Sequence, residues 1–428
     1  MLKKFTAKLQ ALFSNPVVRQ KVIFTALIFL VFRLLAHIPV PGVDLAQLRQ
    51  FFFNNQFLNL LNMFSGGTLS QFSIVAVGIN PYITASIILQ LMAMVIPQVK
   101  EMQKDGETGR AKLNQYTRML SVPLAIFQSF SLVTLLRSQN LVDQLSVFQM
   151  AAVVTSLVAG AMIVLWLGEL VSEFGIGNGI SMILFAGIVS QLPVTMAQTF
   201  SVVDSQQYLV LATFVVVFLA VIGLVVFMNE AVRKITIQYA KRVRGSKSFG
   251  GQTTHLPIKV NVAGVMPIIF AVSLMLVPSF LSRILIASKN ESFALIGYQL
   301  NIWFSQTSWV YMLCYFLLVV VFSFVSAIVF FNADDISTEL KKSGAFVPGI
   351  RPGGPTKKFL EFVVTRITLV GAVFLGLIAL LPSIAQNLSG VQSLAVGGTS
   401  VLIVVSVVLE TAKQLDSQLI GQNYEQYR

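Results

Sequence analysis

Charge is what this chain lacks. Only 11% of its 428 residues are Asp, Glu, Lys or Arg, against 55% hydrophobic, and the mean hydropathy is +0.79. A soluble domain carries about 25% charged residues, so the composition excludes an ordinary soluble globule and points to lipid. Cysteine is nearly absent: Cys314 is the single one, inside an apolar run, which excludes a disulfide within the chain. The two histidines, His37 and His255, fall at the outer end of the first apolar run and in a polar loop, and neither has a metal-ligand partner at helical spacing. Gly175-Ile176-Gly177-Asn178-Gly179 has the look of a phosphate-cradling loop, but it follows an apolar span instead of a strand and no Lys comes after it. It reads as a tight connection, and Asp334-Asp335 reads as a solvated helix end. No catalytic group, metal site, nucleotide site or other cofactor is expected, and the chain does not read as an enzyme.

Long apolar runs are what it has. A spanning helix needs about 20 mostly apolar residues. Ten such runs centre on 22–40, 72–96, 118–137, 147–171, 179–199, 208–228, 260–281, 309–331, 366–385 and 396–411, the fifth interrupted by Pro193 and the tenth short. An even number puts both termini on one side. That side holds 25 of the 30 Lys and Arg, and the other holds Arg33, Arg49, Arg137, Arg283 and Lys289. Positive loops stay in the cytosol, so both termini are expected there. The basic, mildly amphipathic start from Met1 to Pro16 reads as a retained cytosolic lead-in to the first span.

Charge is also missing from the middle of the spans. Arg33, Arg137, Lys259 and Arg366 lie near span ends, where they can snorkel, and Glu169, Glu173, Glu230, Asp334, Asp335 and Glu410 gather at cytosolic ends. An empty mid-membrane weighs against an ion-coupled transporter. That alternative stays open, because backbone carbonyls can bind Na⁺.

Two loops concentrate the excess charge of +13. Loop 229–259 has seven Lys and Arg against Glu230, and loop 332–366 has six against Asp334, Asp335, Glu339 and Glu361. Composition explains them equally well as topology signals in contact with anionic lipid or as docking surfaces. Between the first two spans, Asn55 to Phe64 is apolar but only about three helical turns long, and Ser65-Gly66-Gly67 follows as a helix stop. A segment this short reads either as re-entrant or as an interfacial helix on the outer surface.

Nine motifs in order then resemble the SecY family, the channel subunit of the Sec protein translocon, in its bacterial form. They are Phe32-Arg33 with Ile38-Pro39-Val40-Pro41-Gly42; Met63-Phe64-Ser65-Gly66-Gly67; Gly78-Ile79-Asn80-Pro81-Tyr82-Ile83-Thr84-Ala85-Ser86-Ile87; and Gly106-Glu107-Thr108-Gly109-Arg110. They continue with Gln115-Tyr116-Thr117-Arg118; Gly175 to Ser181; Thr254-His255-Leu256-Pro257-Ile258-Lys259-Val260-Asn261; Lys341 to Gly353; and Gly397-Gly398-Thr399-Ser400. The stretches 139–146, 282–308 and 386–396 match nothing distinctive.

The resemblance implies an all-α polytopic membrane protein. Ten helices would form two pseudo-symmetric five-helix halves, 1–200 and 201–428, around an hourglass pore with a short re-entrant plug. It implies a pore ring at Ile79, Ile83, Leu184, Ile188, Ile269 and Ile403, with Leu184 standing where the family usually has Ile or Val. A narrow apolar ring excludes ions by dewetting. The plug would comprise Leu58, Leu61, Met63, Phe64, Ser65, Gly66 and Gly67. Gln128 and Asn261 match a polar cluster across a lateral gate. Lys241, Arg242, Arg244, Lys247 and Arg351 match positions that meet the ribosome, including its RNA phosphates, and a SecA-like motor ATPase. The implied partners also include SecE-like and SecG-like membrane subunits, signal sequences, translocating chains and anionic lipids. The implied place is the cytoplasmic (inner) membrane. A membrane scaffold that recruits ribosomes without conducting would keep the loops and dispense with ring and plug.

Overall fold

Asn15 opens the first helix: its side chain accepts from the Val17 N–H at 3.1 Å, and Pro16 takes a first-turn position. An Asn cap with Pro behind it supplies one orphan N–H with a partner and removes another. The computed structural model of the chain describes residues 15–41, 43, 45–54, 62, 65–138, 141, 146–202, 208–239, 242–244, 247–249, 253–262, 264–286, 290–305, 308–389 and 398–426. Leu58, Leu61, Met63, Phe64 and Lys241, all expected in functional sites, lie outside the described residues.

In chain order the elements begin with α1 (Pro16–Leu35), α2 (Leu45–Asn54), α3 (Asn80–Val95), α4 (Pro97–Lys104), α5 (Gly106–Ser138), α6 (Val147–Phe174), α7 (Gly179–Val202) and α8 (Tyr208–Glu230). Four strands follow: β1 (Val232–Tyr239), β2 (Arg242–Arg244), β3 (Lys247–Phe249) and β4 (Thr253–Lys259). The remainder is α9 (Met266–Ile286), α10 (Glu291–Trp303), α11 (Trp309–Phe330), α12 (Ala333–Lys342), β5 (Ala345–Phe346), α13 (Gly354–Ser389) and α14 (Gly398–Gln426).

A helix falls in each of the ten apolar stretches. Among the described residues, four helical stretches are long and apolar enough to cross a membrane: Ala111–Arg137, Val147–Phe174, Trp309–Lys342 and Gly354–Leu381. A fifth is added if Asn80–Ala93 and Pro97–Gln103, bent by 107°, make one span. Gly179–Gln191, Phe218–Glu230 and Met266–Ser279 are apolar over shorter lengths. One expectation needs correction. The second span starts at Asn80 and not at 72, because the backbone of 72–74 is engaged with 38–40 and Pro81 starts the helix. The fifth run carries its expected helix, which continues through Pro193 to Val202. The loop after α8 folds into short strands outside the apolar runs.

By contact the chain forms two compact units, Met1–Leu211 with Ser389–Arg428, and Ala212–Leu388. In the first, α5 packs on α3 and α6, α6 on α7 and α1, and α14 on α7 and α1. Its core joins Leu48 and Phe52 of α2, Leu69 and Phe72 before α3, Val133 and Leu136 of α5, and Leu157 of α6. Gly160 lets α6 close on the segment before α3; a Cβ there would run into the Ile74 carbonyl.

In the second unit β1 pairs antiparallel with β4, from Val232↔Lys259 to Gln238↔Thr253, and with β5 at Gln238↔Phe346 and Tyr239↔Ala345. The β1 sequence alternates its Ile residues, so Ile235 and Ile237 point to one buried face while Arg233 and Lys234 are exposed. Ile235 and Ile258 meet Ala333 of α12, Val347, and Leu360 and Val364 of α13 in one core. The loop sheet is therefore seated on the start of a long apolar helix. Several outward side chains are large and apolar, including Phe127 at 67% and Leu313 at 61% exposure. Such faces are liabilities in water and ordinary against acyl chains.

Candidate functional site

The segment 65–79, between α2 and α3, is a run of turns held by its own short polar side chains. Ser65 Oγ donates to Asn62 O at 2.9 Å, Thr68 Oγ1 to Ser65 O at 2.9 Å, and Ser73 Oγ to Thr68 O at 3.3 Å. Asn62 Oδ1 accepts from the Ser70 N–H at 2.8 Å, and Asn62 O from the Gly67 N–H at 2.7 Å. A strand-like bridge, Pro39↔Ser73, ties the segment to the chain leaving α1, with Val40 N–H on Phe72 O at 2.8 Å and Ile74 N–H on Ile38 O at 3.0 Å. Phe72 accepts a φ of 42°, rare for a side chain of this size, because its ring is buried and both its N–H and C=O are bonded.

Gly66 and Gly67 turn the chain with φ of 74° and 83°, angles that favour glycine. The Gly66 carbonyl accepts two bonds from distant helices. Arg33 Nη1 on α1 reaches it at 3.1 Å and Gln191 Nε2 on α7 at 3.0 Å. Ser65, Gly66 and Gly67, three of the seven residues expected in a plug, form a buried turn bonded to two helices through the Gly66 carbonyl.

The expected ring residues sit on four helices or their caps. Ile79 caps α3 and Ile83 lies one turn on, its N–H on Ile79 O at 3.1 Å. Leu184 and Ile188 are one turn apart on α7, and Ile403 is on α14, which packs against α7. All five are buried in the first unit, Ile188 at 0% and Ile403 at 1% exposure. Ile269, on α9, belongs to the second unit and is half-buried.

The two expected gate residues each bond within their own unit. Gln128 Nε2 donates to Thr84 Oγ1 at 3.4 Å. Asn261, buried, donates to Asn229 Oδ1 at 2.9 Å and to Gly264 O at 3.0 Å, which caps the turn between β4 and α9.

On the loops, Arg242 and Arg244 lie on β2 and Lys247 on β3, in a two-stranded hairpin that pairs Arg242 with Phe249 and Arg244 with Lys247. Arg351 is exposed on a frame that holds its backbone. Thr356 Oγ1 donates to its carbonyl at 2.8 Å, Ser337 Oγ donates to Gly353 O at 3.2 Å, and Gly349 and Gly353 have φ of 80° and 98°. Asp334 and Asp335 occupy the first turn of α12 behind the Asn332 cap, with Asp334 paired to Lys357 Nζ at 3.3 Å. Acids at a helix start complement its dipole. Among the described residues no cluster of His, Cys, Asp and Glu could hold a metal.

Sequence reasoning missed Arg33, Gln191 and Gly187. Arg33 read as a snorkelling span end, and nothing in an apolar span singles out a Gln or a Gly. The signal that existed was spacing: Gly187 and Gln191 are four apart, on one helix face.

A protein-family model described as SecY matches residues 73–412. The protein translocase subunit SecY of Streptomyces galbus is 42% identical over 434 residues, covering 96% of this chain and 97% of that one. The fold is similar to two solved structures, one titled as a protein conducting channel and one on the SecY plug domain stabilising the closed state of the translocation channel. Each has a TM-score of 0.62 at 18% identity, covering 93% of this chain and 91% of the other. A family match over most of the chain and end-to-end identity to a bacterial relative leave one conclusion: the chain belongs to the SecY family, the channel subunit of the Sec protein translocon.

Proposed function

We propose that this chain, a multi-pass inner-membrane protein-conducting channel and not an enzyme, passes unfolded secretory polypeptides through a waist ringed by Ile79, Ile83, Leu184, Ile188, Ile269 and Ile403. Ten spans in two pseudo-symmetric halves, 1–200 and 201–428, surround that waist, and both termini are cytosolic. Residues 55–67 are the plug. Gln128 and Asn261 belong to a lateral gate through which transmembrane segments leave for the bilayer. The basic hairpin with Lys241, Arg242, Arg244 and Lys247, together with Arg351, receives the ribosome or a SecA-like motor, which supplies the push. SecE-like and SecG-like subunits complete the complex.

The observation that supports this reading best is the burial of five aliphatic ring residues on α3, α7 and α14, with no charged residue within a helical turn of any of them along the chain. Aliphatic contacts have no direction, so such a ring can yield around any sequence and close again. A photo-crosslinker at Ile83 tests it: a stalled translocating chain should be captured there, and crosslinks to lipid alone would remove Ile83 from the ring.

A further inference from the structure

We propose that Arg33 and Gln191 are positioning residues for the closed channel, latching the carbonyl of Gly66 at the foot of the plug until a translocating chain breaks the latch. The inference rests on the plug reading above and adds what holds the plug's hinge.

A carbonyl oxygen has two acceptor lone pairs. Arg33 Nη1 at 3.1 Å and Gln191 Nε2 at 3.0 Å supply a donor for each. Gly66 is buried, so water cannot simply replace a lost donor, and an unpaired buried carbonyl is unfavourable. The donors come from the last turn of α1 and from mid-α7. The bonded state therefore requires α1, α7 and the turn to keep one spacing: moving either helix weakens its own bond, and turning the Gly66 peptide weakens both.

The fit around the two glycines is close where α7 faces them. A Cβ on Gly66 would stand 2.6 Å from Gly187 Cα, and a Cβ on Gly67 would run into the Gln191 side chain. Gly187 and Gln191 lie four apart on α7, so one helix face supplies both the space and a donor. Arg33 has no acidic partner in the ion pairs among the described residues. Its charge strengthens the hydrogen bond to Gly66 without tying the guanidinium to a fixed carboxylate.

Position makes this contact a latch. Gly66 sits where the proposed plug, 55–67, joins the segment 68–79, which is tied down by the Ser73 and Ile74 bonds and by the closure of α6 on Ile74. Two glycines at positive φ form the pivot, and the latch grips the pivot itself. A plug that swings about this point must first turn the Gly66 peptide away from Arg33 and Gln191.

The test uses the full chain reconstituted with its SecE-like and SecG-like subunits in planar bilayers, reading ion conductance with no substrate present. Arg33→Met and Gln191→Leu each remove one donor at similar size, and deletion of 55–64 is measured alongside. Each point variant should raise the resting conductance about tenfold, as loss of a charge-assisted or buried hydrogen bond predicts. Arg33→Lys, which keeps a charged donor, should recover most of the closure. The same variants should export a secretory protein with a defective signal sequence, a readout that a purely structural role would leave unchanged. A leaky deletion with tight point variants overturns the latch and leaves the plug standing. A tight deletion overturns the plug reading and the latch with it. Should Arg33→Met fail to insert, Gln191→Leu decides alone: a tight channel there overturns the proposal.

Discussion

Gly66 and Gly187 meet backbone to backbone: a Cβ built on Gly66 would stand 2.6 Å from Gly187 Cα, and one built on Gly187 would stand 3.1 Å from Gly66 Cα. The first distance demands a shift of α7 or of the turn, and the second only a few tenths of an ångström. The two positions therefore respond differently to the same methyl group.

Gly66→Ala should be the more damaging change. It adds a left-handed conformation disfavoured by roughly 1–2 kcal/mol for a non-glycine residue to an overpacking cost of about 1–3 kcal/mol. Gly187→Ala incurs only the second, at its lower end. Thermal unfolding in detergent should order the variants as wild type, Gly187→Ala, Gly66→Ala. An Ala at 66 that unfolds with the wild type would contradict the close approach.

Ile403→Asn places an amide at a position 1% exposed. Left unpaired, it costs about 1–3 kcal/mol, and in an apolar waist it draws in water. Export of a reporter with a defective signal sequence should rise. Strict rejection of that reporter would count against Ile403 as part of the ring.

Arg351→Glu should leave folding intact, since the side chain is exposed and the backbone frame does not depend on it. Motor-driven export should fall severalfold. Thr356→Val removes the bond to the Arg351 carbonyl, worth about 1 kcal/mol, and should lower export less while leaving the charge in place. Equal export by wild type and Arg351→Glu would reduce the loop to a topology signal.

Leu360→Ala opens a hole beneath the loop sheet, where Leu360 is 0% exposed against Ile235, Ile258 and Val347. The cost is about 2–5 kcal/mol. Hydrogen exchange should accelerate in 232–239 and 253–259, and less so in α6, which lies in the other unit. Uniform acceleration would mean that the sheet is not an independent seat.

Much of this was legible before any coordinates. Ten apolar stretches each contain a helix, and the tight connection at Gly175–Gly179 is one: Gly177 has φ of 81°, and the Ile176 N–H is held by Thr25 Oγ1 at 3.2 Å. Asp334-Asp335 is a capped helix start, as its neighbours suggested. The strands of 232–259 were not read, although Ile235 and Ile237 alternate, because a charged loop between apolar spans masks a short period-two pattern. Pro193 does not end the fifth helix, since a helix can carry proline when its neighbours re-satisfy the freed carbonyl.

Composition and order alone determined that the chain lives in lipid, where its ten apolar helices fall and which family it belongs to. Those properties are local or summed: apolar length, charge asymmetry and motif order each survive without knowing what touches what. Tertiary structure decided the rest. Arg33 could equally have reached for water, Gln191 for a neighbour on its own helix, and Asn261 for another partner than Asn229. Each is a polar side chain whose bond is set by which carbonyl or amide the fold brings within about 3 Å. Only packing placed the Gly66 carbonyl between Arg33 and Gln191, because the three come from separate parts of the chain. Non-local distances of that kind are written in no single stretch of sequence.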